Sequence, residues 1–465
     1  MRNPLFCGML LLLCGCALTA PKTDTAVTPS AGWRYASRAT ASSPVTDTWW
    51  ASFGSPELDQ LVAQATTGSF DIAAAIARVQ QAKSTSRIAG AALLPNVSGF
   101  ADASRQGGLL VTDTELEGTG FDLGIAASYE LDFWGRNRAR REAAIDSLHA
   151  SEFDRDTITL TVTADVADTW LQAVSLRERV GIARQNLVTA QRVLSVVESQ
   201  ARAGAATPLD VAQQRGLVAA QRRSVAQLQQ QANDTEATLA TLLGVSPTGF
   251  HLATRSLDAL QVPEIDAGIP SSLLSRRPDL ARSEARLEMA DANIVAARAA
   301  MLPDITLTGS AGFGSDQIRT LFDNSLYSVA AGLTAPIFNA GSLAAGRDLA
   351  LAQKAELLAN YRQSIVAAFT DVERSLNAIS GVQAQQRAQR EELAQAQQAL
   401  SLAESRYRAG AETLLVVLTA QQTLYAAEDE ATQLRVAHLQ ASVSLYRALG
   451  GGWQQRASTT DAHAG

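Results

Sequence analysis

The stretch from Leu302 to Gly341 limits most strongly what this chain can fold into. Leu302-Pro303 is followed by an alternating run from Asp304 to Phe313, a loop, and a second alternating run ending Pro336-Ile337-Phe338, with Gly341 just beyond. One residue in two is apolar and its neighbours are small or polar, the period of a half-buried strand. About ten residues per run is the length of a tilted membrane-crossing strand. The same punctuation occurs at Leu94-Pro95 through Phe133 and Gly135, so strands are expected at about 96–106, 119–133, 304–314 and 326–338. The second is the cleanest: Phe121, Leu123, Ile125, Ala127, Tyr129, Leu131 and Phe133 share one face, and Asp122, Gly124, Ala126, Ser128, Glu130 and Asp132 the other.

Long helical sequence surrounds both ribbons. From Arg136 to Gly204 there is no proline and Gly181 is the one interior glycine; a helix over that stretch is about 100 Å long. Arg202-Ala203-Gly204 with Pro208 breaks it, and a second helix of roughly 35 residues ends at Leu242-Leu243-Gly244. Shorter helices of about 25 residues, Asp71 to Leu94 and Asp279 to Leu302, precede the ribbons. Landmarks recur in order. Leu94-Pro95 returns as Leu302-Pro303, Arg202-Ala203-Gly204 as Arg408-Ala409-Gly410, and Leu242-Leu243-Gly244 as Ala448-Leu449-Gly450. The chain is therefore internally duplicated: repeat 1 over 56–250, a linker over 251–270, repeat 2 over 271–453 and a tail over 454–465. Ile365, Phe369, Val372, Leu376 and Ile379 form a coiled-coil seam, continued after the turn by Leu439, Val443 and Tyr446, so each half should end in an antiparallel helical hairpin.

A membrane-spanning sheet must close, because an open edge in lipid leaves backbone groups unpaired at several kcal/mol each. Four strands per chain cannot close alone. Eight strands from two chains would be filled by side chains, whereas twelve from three leave an aqueous passage. Asp122, Ser128, Glu130, Thr306, Thr308 and Ser310 supply polar faces for such a lumen. A soluble sheet with one solvated face follows the same pattern.

The net charge of −7 offers no basic face to nucleic acid, and no long apolar run follows the N-terminus. Cys7, Cys14 and Cys16 are the only cysteines, so no disulfide framework or thiolate metal site exists in the body. Arg2, the apolar stretch Leu5 to Leu13 and Leu13-Cys14-Gly15-Cys16 look like a bacterial lipoprotein signal over 1–15, with Cys16 acylated (palmitate) as the first mature residue. A tether over 16–55, rich in Thr, Ala, Ser and Pro early on, leads to the body.

Over nearly all the mature chain the residues resemble the outer membrane factor family of TolC-like channels, and within it the lipoprotein branch of multidrug efflux outer membrane proteins. The resemblance rests on Trp49-Trp50 with Phe53, the paired Leu-Pro strand starts, Leu131-Asp132-Phe133-Trp134-Gly135, Arg276-Arg277-Pro278-Asp279-Leu280, Pro336-Ile337-Phe338, Tyr407-Arg408-Ala409-Gly410 and Leu449-Gly450-Gly451-Gly452-Trp453. It implies a mainly α fold with a β-barrel part: long antiparallel coiled-coil helices forming an α-barrel, and four transmembrane strands per chain giving a twelve-stranded barrel in a homotrimer. It also implies residence in the outer membrane, extension into the periplasm, and docking on a periplasmic adaptor fed by an inner-membrane pump. Carried over, the family's periplasmic gate involves Asp210 bonded to Tyr407, with Gly204, Pro208 and Gly410 making the hairpin turns. Two departures stand out. Val416 and Thr419 occupy positions where the family often has acids, and Glu412 stands where it uses an arginine. A closed aperture ringed by Leu415 and its apolar neighbours would resist ions by dewetting.

No catalytic constellation is present. His149, His251, His438 and His463 have no paired ligand spacing, and Gly450-Gly451-Gly452 follows a helix rather than a strand, so neither a metal nor a cofactor is expected beyond the lipid on Cys16. The reading is a channel exporting small toxic compounds or drugs. The alternatives are the outer-membrane channel of a type I protein-secretion system, or a lipid-anchored periplasmic coiled-coil scaffold.

Overall fold

The computed structural model describes residues 45–109 and 115–455, with residues 19, 25, 27 and 32–35 ahead of them. The expected signal over 1–15 and Cys16 lie outside the described residues. The elements run α1 (Pro56–Gly68), α2 (Phe70–Ala91), β1 (Asn96–Leu109), β2 (Glu115–Leu131), α3 (Arg136–Arg202) and α4 (Pro208–Leu242), then α5 (Pro278–Ala299), β3 (Asp304–Ser315), β4 (Ser325–Thr334), α6 (Ser342–Arg408) and α7 (Leu414–Ala448). From the short helices onward the halves match in order: α2 and α5 each have 22 residues, α3 and α6 each 67, and α4 and α7 each 35. Among the described residues no helix is long and apolar enough to cross a membrane.

The short helices stop about three residues before the expected Leu94 and Leu302. Each leucine precedes a proline, which disfavours helical backbone there. The chain leaves instead through turns in which Leu94 N–H donates to Ala91 O and Leu302 N–H to Ala299 O.

Two compact units result. One, built on Arg78–Glu152 and Arg282–Arg362, carries an antiparallel sheet in the order β1-β2-β3-β4. Its register pairs apolar with apolar: Leu123 lies opposite Phe313, Tyr129 opposite Leu307 and Leu131 opposite Ile305. The alternate rows hold Ser128 opposite Thr308, Glu130 opposite Thr306 and Ser310 opposite Ser328. One face is thus compatible with lipid and the other with water, because directly opposed residues share a face.

Several expectations are corrected here. β1 runs on to Leu109, and β2 runs from Glu115 to Leu131 rather than to 133, because Phe133 N–H turns back onto Leu131 O, while β4 stops at Thr334 rather than about 338, since Pro336 has no N–H to continue the ladder. Asp132 is not a strand-face acid. Its carboxylate accepts the backbone N–H groups of Asn137 and Arg138, each at 2.9 Å, and so caps α3. Glu130 and Asp304 flank Arg136 at 2.9 and 3.1 Å, so two acids of the polar face are neutralised locally.

The other unit, built on Val27–Ala77, Phe153–Ala281 and Gln363–Gly465, holds the main core. Trp49, Phe53, Leu58, Trp170, Leu171, Leu239, Leu257 and Leu439 are buried in one cluster, with Trp49 stacked on Tyr446. Glu57 ties the linker to it. Its carboxylate accepts Trp170 Nε1–H (3.1 Å), Ala253 N–H (2.5 Å) and Thr254 N–H (3.1 Å). Burial alone would raise the carboxyl's pKa, but the bonds from Thr254, Ala253 and Trp170 hold it below its ordinary value.

The glycines at the helix ends are packing points. Gly244 (φ +70°) lies on the Gly68 carbonyl and its counterpart Gly450 (φ +87°) on the Arg276 carbonyl, so each repeat folds the end of its last helix against the turn before its short helix. Gly451 and Gly452 press on Leu160 and on Thr46 respectively, and Trp453 Nε1–H donates to Asp156 (2.9 Å). The triple glycine is a crossing point of chain segments rather than a simple helix end.

Candidate functional site

The two hairpin turns share one design. After α3, Gly204 adopts φ +75° and Ala205 N–H reaches back to Gln200 O (2.8 Å); after α6, Gly410 adopts φ +71° and Ala411 N–H reaches Arg406 O (2.9 Å). This is the Schellman closure, in which glycine takes the left-handed position without a Cβ penalty. Pro208 then occupies the first position of α4, where its missing N–H is not needed.

The starts of the following helices differ. Thr207 and Asp210 form a reciprocal capping box: the Asp210 carboxylate accepts Thr207 N–H (2.8 Å) and the Thr207 hydroxyl (2.7 Å), while Thr207 Oγ1 accepts Asp210 N–H (3.2 Å). The repeat offset of 206 places Thr413 at the cap of α7 and Val416 at the box position. Valine has no oxygen to return, and Thr413 makes no side-chain cap. Glu412 accepts Thr413 N–H (3.1 Å) and faces Arg406 across 3.7 Å.

Asp210 is therefore committed to its own helix. Among the described residues no hydrogen bond joins it to Tyr407, whose ring packs against the hairpin core. The two are close enough to feel each other: burial, then the Asp210 charge, push the Tyr407 phenol above its ordinary pKa.

The hairpins meet in a shared apolar cluster of Val193 and Val197 on α3, Leu217 and Val218 on α4, Leu400 on α6, and Leu414, Val417 and Leu418 on α7. Farther along, Arg179 on α3 grips Asp429 on α7 through two bonds of 2.6 and 2.9 Å. A cleft of about 740 Å³ between α3, α4 and α7 is lined there by Arg179, Asn186, Gln221, Tyr425 and Asp429.

What the cluster leaves outside is a stripe. Leu415 is 61% exposed, and Thr419, Gln422 and Ala426 follow it at helical spacing, all exposed and all uncharged. Leu209, at the equivalent place on α4, is 64% exposed. The sequence reading picked Leu415 and Thr419 but missed Leu209, which the 206-residue offset would have disclosed. It also missed Gln421, fully buried beneath the stripe with neither amide atom bonded; no sequence signal marks it.

Known proteins are similar to this chain over nearly its whole length. The family model for outer membrane efflux proteins matches residues 61–245 and again 269–451, once per repeat. The pyoverdine export outer membrane protein OpmQ of Pseudomonas aeruginosa is 47% identical over 98% of both chains. The antibiotic efflux pump outer membrane protein ArpC of Pseudomonas putida is 32% identical over 97% of this chain and 96% of its own. Among solved structures, the outer-membrane channel OprN superposes with a TM-score of 0.88 at 30% identity, covering 94% of this chain and all of that one. The mainly helical duplicated fold, the four-stranded sheet with one lipid-compatible face and this agreement over nearly the whole length lead to one conclusion: the chain belongs to the outer membrane efflux protein family and is an efflux channel of the outer membrane.

Proposed function

We propose that three copies of this chain close a twelve-stranded barrel and a helical tunnel that serve a tripartite export system through a periplasmic adaptor. One observation carries the assembly: among the described residues β1 and β4 are both edges, each paired on one side only. In lipid those edges have to find partners, and β4 of one copy meeting β1 of the next satisfies both without leaving any strand over. The acyl chain on Cys16 holds the tether in the same membrane. A heat-sensitive trimer in outer-membrane extracts is the expected observation; a monomer in the soluble periplasm would defeat the proposal.

The cargo we infer is of the pyoverdine type, because OpmQ is 47% identical over the full length and the antibiotic-efflux relative only 32%. Expressed in a Pseudomonas aeruginosa strain lacking OpmQ, this chain should restore extracellular pyoverdine. Restored resistance to toxic compounds without pyoverdine export would favour the drug-efflux reading.

The hairpin tips act as the aperture, and the uncharged stripe from Leu415 makes it weakly selective among ions. Asp210→Ala removes the capping box, worth about 1 kcal/mol to α4, and should raise resting conductance in bilayers. Tyr407→Phe removes a hydroxyl with no hydrogen bond to Asp210 and should leave conductance near wild type. A large increase for Tyr407→Phe would show that the assembled channel forms a bond the single chain does not. Leu415→Asp should bring strong cation preference and block by divalent ions.

A further inference from the structure

The indole of Trp33 has left the solvent. The residue is 9% exposed, its Nε1–H donates to Gly268 O at 2.9 Å, with Ala267 O at 3.3 Å, and its ring meets Phe369 of α6 edge-on at 6.1 Å between centroids. The next residue is held as well, for Arg34 N–H donates to Glu373 Oε1 at 2.8 Å. Phe369 departs from the seam on which its spacing places it. Ile365, Val372 and Leu376 are buried in the helical core, whereas Phe369 is half-buried and faces the indole. Gly268 turns its carbonyl toward Trp33 in a left-handed conformation (φ +61°), with its N–H on Asp266 Oδ1 at 2.8 Å.

We propose that residues 32–35 are a clip fastening the N-terminal segment to repeat 2, with the linker carbonyls and Phe369 as its receptor. The occupant is this chain's own tether, already seated. A tryptophan suits the task because a large apolar ring drives burial while one N–H fixes orientation. The clip rests on the acylation reading for one consequence only. Fully extended, the 17 residues from Cys16 to Trp33 reach at most about 60 Å, whereas the 29 residues to Val45 would reach about 100 Å. The clip thereby limits how far its receptor at Gly268 and Phe369 stands from the lipid anchor.

Limited trypsin digestion of the full-length protein in detergent, read by fragment mass, tests this at the Arg34–Tyr35 bond. Trp33→Ala should speed that cut about tenfold or more, because burying an aromatic ring is worth more than the 1.4 kcal/mol that corresponds to tenfold. Trp33→Phe, which keeps the ring and loses the N–H, should give a smaller increase. The heat-sensitive oligomer band serves as the folding control. If Trp33→Ala unfolds, Trp33→Phe decides the matter. Cutting at the wild-type rate in the folded variants overturns the clip. Cys16→Ala should leave the rate at Arg34 unchanged, and a large rise there would mean that the lipid, not the clip, holds the segment. The mass of the N-terminal peptide reports acylation separately, so the two readings fail independently.

Discussion

Gly450→Ala should be among the most damaging single-methyl additions in this protein. The left-handed conformation costs an alanine roughly 1–2 kcal/mol, and the new Cβ would fall on the Arg276 carbonyl oxygen, where overpacking adds roughly 1–3 kcal/mol. The control is internal. Gly410 has nearly the same φ but nothing within 4 Å of an added Cβ. Gly410→Ala should therefore show the conformational cost alone, and the difference between the two variants isolates the clash. Thermal or denaturant unfolding in detergent measures both. Equal losses would mean that the end of α7 can move away from the turn before α5. Gly244→Ala should behave like Gly450→Ala, since it lies on the Gly68 carbonyl in the same way.

Trp170→Ala should cost about 3–5 kcal/mol, the usual range for emptying a buried aromatic site. Trp170 is fully buried and also supplies one of the three N–H groups that hold the Glu57 carboxylate. Trp170→Phe keeps most of the volume and should cost less, but it removes that donor. The consequence is readable against pH. Because the Glu57 pKa lies below its ordinary 4.5 in the folded chain, its contribution is present above that value and is lost as pH falls through the lowered one. Trp170→Phe should bring the folded value back toward 4.5 and shrink the acid-side loss of stability. An unchanged pH profile would show that the bonds from Ala253 and Thr254 suffice. Hydrogen exchange at Ala253 and Thr254 should quicken in both variants, since Glu57 ties the linker to α3.

Periodic features of this chain are legible without coordinates because they are local. Alternation in β2 and β3 sorted the residues onto faces that the register keeps, apart from Asp132 and Phe133, which lie beyond Leu131 where the strand gives way to the start of a helix. Freedom from proline and a near absence of glycine predicted the first long helix and the duplication its twin, both of which turn out to be 67 residues, and the Arg-Ala-Gly turns fell where the Schellman closures are. The repeat is legible because backbone requirements such as a left-handed glycine or a proline after a leucine recur at a nearly constant offset.

The tertiary structure decided what depends on partners distant in the chain. Which of two possible bonds Asp210 makes is a competition between a neighbour three residues away and a tyrosine on another hairpin, and the local partner wins because the capping geometry is already in place. Whether Phe369 belongs to a seam or receives Trp33 cannot be read from spacing, since a half-buried position has the same period as a buried one. The role of Gly450, Gly451 and Gly452 appears only when segments remote in sequence cross there. Sequence alone determined the strands, the long helices and the duplication, because each is written in local patterns that are read without tertiary contacts, and the motifs those patterns carry resemble the family. Only the folded chain determined where carboxylates, indoles and glycines are spent, because burial and hydrogen-bond competition are settled between elements hundreds of residues apart.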